Sequence, residues 1–171
     1  MPPDSSESTD SGTSVDLGPI YVATGRVALA WAAFELHIDR VIWALAGIEP
    51  DPGACLTSQI ASIHNRFRSL ISLVKLRGAD ESLIKRLNQL SNESSKLVLK
   101  RNLVVHSTIG LHPSTLEILR TRISADKTLV FEPQTTSEKD TMKIRDEIAV
   151  HIERFLSFSD ELAKLVPPPS R

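Results

Sequence analysis

Apolar residues recur along this chain with helical spacing in four stretches. Over residues 18–46, Val27, Trp31, Phe34, Ile38, Val41 and Leu45 alternate steps of four and three, which holds them on one stripe of a helix. Gly47, followed by Pro50 and Pro52, predicts its end. A second stripe, Ile60, Ile63, Phe67, Leu70 and Val74, predicts a helix over 57–77 that stops at Gly78. Asp80 then stands as the N-cap of a third helix, whose stripe reads Leu83, Leu87, Leu90, Ser94, Leu97, Arg101, Val104. After Gly110 the period shortens. "TLEILRTRIS" and "TLVFEPQ", rich in Thr, Ile, Val and Phe, flank "ADK" and predict a β-hairpin over about 114–133. Ser137 with Asp140 three residues on marks the start of a fourth helix. Its stripe is Ile144, Ile148, His151, Phe155, Phe158, Leu162 and Leu165, and "PPPS" ends it after about Val166.

Amphipathic helices of this length bury their stripes only against one another. The expected fold is mainly all-α: an antiparallel four-helix bundle with a small β-hairpin between the third and fourth helices. The domain spans 17–166, between an acidic Ser/Thr-rich tail over 1–16, expected to be disordered, and a Pro-rich tail over 167–171. The stripes of the first and fourth helices are long enough to predict a homodimer. Aromatic residues at 5% and only 7 glycines favour helices over a sheet-rich sandwich. The single Cys55 forms no internal disulfide and has no neighbours for a zinc site, which points to a reducing, cytoplasmic setting. No apolar run approaches the length of a membrane span, so no membrane partner is expected. The amino-terminal stretch lacks the cationic start and apolar run of a signal peptide.

A net charge of -1 gives no global sign of nucleic-acid binding, but the distribution is uneven. Between Asp51 and Asp80 there is no acidic residue, while Arg66, Arg68, Lys75 and Arg77 are present, and Lys96, Lys100 and Arg101 follow. The plain reading is a solvated helix face; the alternative is a surface that attracts phosphate.

Arg101 sharpens that choice, because it falls in register with the apolar stripe of the third helix rather than on its polar back. A guanidinium keeps its proton, and burying it unpaired is costly. Arg101 therefore snorkels at a bundle end, pairs with Glu35 or Asp39 of the first helix, or meets an anionic ligand in a cleft. On an unbroken helix Arg101 and His106 point about 140° apart. They converge if the helix ends near Val105, or if two copies face each other across a dimer. Asn102 and His106, four apart, share a face and are placed to hydrogen-bond. With twelve Arg and five His, a similar spacing arises about once by chance, and Arg145 to His151 is a second instance. His151 lies on an apolar stripe and reads as a hydrogen-bonded core histidine. Glu35, His37 and Asp39 make a poor metal-ligand set for one helix face, and no metal site or cofactor is expected.

The stretch "RNLVVH", residues 101–106, resembles the Arg-polar-x-x-x-His signature of the HEPN superfamily, and "GRVALAWAAFELHIDRVIWAL" is similar to the long first helix of small bacterial members. The resemblance implies a helical bundle with the signature near the end of its third main helix. It implies a metal-independent endoribonuclease acting as a dimer, with Arg101 and His106 as catalytic pair and Asn102 as polar follower; Lys100, in the run of positive charge beside the motif, is the expected substrate-binding cation. The product would be a 2′,3′-cyclic phosphate and a 5′-hydroxyl, in the service of a toxin or antiviral defence, with an antitoxin as partner; a nucleotidyltransferase-like protein is instead the partner expected of the competing, non-catalytic reading. The competing expectation is a non-catalytic helical homodimer acting as an interaction or regulatory module, in which Arg101 and His106 only close a polar interface.

Overall fold

Pro19 in the first turn and Gly47 in the left-handed region (φ 69°) bound α1 (Gly18–Ala46), the helix that the apolar spacing predicts. The computed structural model describes residues 14–124 and 130–168. The expected tail lies outside them as far as residue 13, as do the "ADK" turn and residues 169–171.

Pro50 and Pro52 do more than stop α1. They open a short helix, α2 (Pro50–Thr57), in whose first turn a missing backbone N–H removes no bond. The expected helix over 57–77 is thereby corrected: α3 (Ile63–Leu76) begins only where Ser62 Oγ accepts from Asn65 N at 3.2 Å. α2 packs closely against the indole of Trp43. A Cβ on Gly53 would stand 2.6 Å from that ring, and the indole Nε1 donates to Thr57 Oγ1 at 3.1 Å.

α4 (Glu81–His106) starts as expected, with Asp80 accepting from Leu83 N at 2.7 Å, and α5 (Glu138–Leu156) starts with Ser137 accepting from Asp140 N at 3.1 Å. The last helix does not run unbroken to Val166. Ser157 Oγ donates to Arg154 O at 2.7 Å and Ser159 Oγ to Leu156 O at 2.6 Å, and both carbonyls are ones a continuing helix would offer to its amides. The chain tightens there and resumes as α6 (Ser159–Ala163), held to α4 by the Arg86–Glu161 ion pair.

The expected hairpin is the larger part of a three-stranded antiparallel sheet. β2 (Ile118–Ser124) pairs with β3 (Val130–Thr135), and β1 (Thr108–Leu111), directly after α4, adds a strand on the other side of β2. Pro133 sits on an edge strand, where its missing donor costs the ladder nothing.

The chain is thus mainly helical with a small sheet. α1 packs on α5 and α3, α3 on α4, and α4 on α5. Phe34 is fully buried among Trp31, Phe67, Phe155 and His151, with ring centroids 5.2 to 6.2 Å away. Truncating such a ring costs about 3–5 kcal/mol. Every member of the third stripe is buried except Arg101, which is half-buried.

Candidate active site

The last turn of α4 carries the signature, and a buried arginine from the sheet fixes that turn. Arg120, in the middle strand and 4% exposed, donates Nη1 to Leu103 O at 3.2 Å and Val104 O at 2.6 Å, and Nη2 to Thr141 Oγ1 at 3.0 Å. The last carbonyls of a helix lack intrahelical partners and carry the negative end of its dipole, so a cation there satisfies both needs. Burial lowers the proton affinity of Arg120, but a guanidinium remains charged at any working pH.

Beyond this clamp, Arg101 and His106 meet within one chain. Arg101 Nη1 lies 2.9 Å from Asn102 Oδ1 and 3.0 Å from His106 Nε2. The long stem of Arg101 spans the angular gap as the helix reaches its last residue, so no second copy is needed to bring the pair together. Arginine donates and never accepts, so His106 Nε2 is the acceptor and Asn102 presents its oxygen. Asn102 and His106 are therefore joined through Arg101 rather than directly. Arg101 Nε is buried and makes no hydrogen bond among the described residues.

The pairing of Arg101 with Glu35 or Asp39 is overturned. Both carboxylates belong to Arg66 of α3, whose Nε stands 3.0 Å from Asp39 Oδ1 and whose Nη1 stands 3.6 Å from Glu35 Oε1. Arg66 reaches them first because α3 packs beside that face of α1.

Arg101, Asn102 and His106 line a cleft of about 520 Å³ between α1, the start of α3 and α4. Trp31 and Glu35 contribute from α1, and Ser62 and His64 from the start of α3. On the far side of the helix end, Asn102 and His106 also border a second hollow of about 570 Å³ with Lys100, Leu99, Arg122 and Ile123. Lys100 lines this second hollow, and its ammonium is paired with Glu147 of α5 at 2.6 Å.

His151 is the core histidine its stripe predicts. Its Nε2 is 2.7 Å from Ser94 Oγ, which spends its own proton on Leu90 O at 2.8 Å, so the imidazole donates. Burial holds His151 below its ordinary titration range, Arg154 pushes the same way and Glu93 opposes. Arg120 and His64 carry no local signal in the sequence: the first stands in an ordinary strand alternation, the second inside what reads as a continuous helix. Among the described residues, no group of three or more His, Cys, Asp or Glu is arranged to hold a metal ion, and no helix is long and apolar enough to cross a membrane.

Comparison of the chain with models of known protein families, with curated proteins and with solved structures finds no match.

Proposed function

We propose that this protein is a metal-independent endoribonuclease of the HEPN type, its four long helices forming that family's antiparallel bundle. The observation that carries the reading is the contact of Arg101 Nη1 with His106 Nε2 at 3.0 Å inside a cleft open to solvent. A phosphodiester seated there would draw the guanidinium's donors to its oxygens. That frees the imidazole nitrogen to take the 2′-hydroxyl proton as O2′ attacks phosphorus. The P–O5′ bond then breaks, leaving a 2′,3′-cyclic phosphate and a 5′-hydroxyl. Asn102 holds the guanidinium in the plane it needs, and Lys100, on the neighbouring hollow, meets the adjoining backbone. Action as a cytoplasmic homodimer, as a toxin or defence effector, and restraint by an antitoxin belong to the same proposal, while a nucleotidyltransferase-like partner belongs to the module reading that follows.

A second reading, a non-catalytic interaction module, is favoured by one observation. Leu99, Ile123 and Phe131 are all more than half exposed beside the signature, at 69%, 60% and 66%. Incubation of the purified chain with mixed RNAs in EDTA separates the two. The enzyme reading expects cleavage to the stated ends, reduced about 10²- to 10³-fold by Arg101→Ala and about 10²- to 10⁴-fold by His106→Ala, with the fold retained. Uncut RNA, or an Arg101→Ala variant that loses thermal stability and nothing else, favours the module.

A further inference from the structure

We infer that His64 is the second proton-transfer group of the cleft, giving a proton to the leaving 5′-oxygen while His106 takes one from the 2′-hydroxyl. The inference rests on the ribonuclease reading above, and it places both halves of the proton traffic on one chain. Of the five histidines, only His64 and His106 line this cleft, and they come from different elements. His64 is the second residue of α3, and His106 is the last of α4.

The turn that carries His64 is fixed on both sides. Ser62 caps α3, and Ile63 is buried at 4% exposure. Arg66, two residues past His64, donates Nη1 to Ile60 O at 2.6 Å and Nε to Asp39 at 3.0 Å. The segment on either side of residues 61–63 is thus tied to α1, whose Glu35 and Trp31 also line the cleft. His64 itself is exposed, so no packing demand calls for an imidazole there.

The arrangement divides the roles. Arg101 donates to His106 Nε2, so that nitrogen presents a lone pair in the empty cleft, and once the phosphate takes the guanidinium that lone pair is the proton acceptor. The reaction balances without water, oxidant or metal. The 2′-hydroxyl proton passes to His106 as the O2′–P bond forms. The P–O5′ bond breaks, its electrons stay on O5′, and the proton from His64 completes the 5′-hydroxyl. Exchange with solvent then resets both imidazoles.

The test uses the full chain under single-turnover conditions, with an ordinary oligoribonucleotide and with the same strand carrying sulfur in place of the bridging 5′-oxygen. A thiolate leaves without a proton. His64→Ala and His64→Gln are each expected to slow the ordinary substrate about 10²- to 10⁴-fold and to cleave the sulfur-bridged strand at close to the wild-type rate. His106→Ala is expected to slow both. An active wild type with His64 variants equally active on ordinary RNA, or slowed alike on both substrates, overturns the role of His64 and leaves the ribonuclease reading standing. A wild type that cleaves neither strand removes the reading and this inference together. Thermal melts of both His64 variants should match wild type.

Discussion

Arg101 uses a single nitrogen for both of its side-chain bonds, to Asn102 and to His106. Removing the Asn102 carbonyl leaves the guanidinium steered only by the imidazole it must release. A hydrogen bond to a charged group is worth about 1.5–3 kcal/mol. Asn102→Ala should therefore lower kcat/KM on RNA about ten- to hundredfold, with an unchanged melting temperature because Asn102 is exposed. His151 governs a different observable. Its folded form resists protonation through burial, with Arg154 reinforcing and Glu93 opposing, while the unfolded chain takes the proton near pH ~6.5. The stability it contributes is complete above that pH and is lost as pH falls below it. Melting temperature should drop between pH 7 and 5, and His151→Gln should flatten that part of the curve; an unaltered slope would contradict the assignment. Helical register alone put Ser94, Arg101 and His151 on buried or half-buried stripes, because that register is local. That Arg66 takes Glu35 and Asp39 was not legible, because a choice among cations depends on which helices pack side by side.

At the scale of elements, the sheet reaches the site through one residue. Arg120 joins the end of α4 to Thr141 of α5, and Thr141 Oγ1 in turn donates to Ser137 O at 3.0 Å. Arg120→Met would strand the Leu103 and Val104 carbonyls in the interior at a cost of about 2–4 kcal/mol, a fall in melting temperature of roughly 5–15 °C by thermal denaturation. Arg120→Lys keeps the charge without the fork and should fall between the two. The starts of α4 and α5 are legible because Asp80 and Ser137 are chemical caps, whereas Ser62 stands inside an apolar stripe that reads as one continuous helix from 57. β1 was missed because a four-residue strand has too few positions to declare a period. The break in the last helix was missed because a stripe continues across it: Phe158 and Leu165 still face inward in part, and Leu162 is buried.

For the whole molecule, the apolar ground beside the signature sets the assembly question. Ile123 and Phe131 are cross-strand partners, and Ile123 shares a hollow with Leu99. If the proposed homodimer closes over this face, Leu99→Asp with Phe131→Asp should shift the mass in light scattering from twice 18.9 kDa to 18.9 kDa; a variant that keeps the wild-type mass moves the interface elsewhere. The chain also has only two tryptophans, and they are unequally placed. Trp43 is sealed under α2. Trp31, 2% exposed, lies against the cleft that holds the guanidinium. The protein therefore carries its own optical gauge of occupancy. A polyanion entering the cleft should alter the emission of one indole while the other stays constant as an internal standard, so affinity for RNA can be titrated on unlabelled protein.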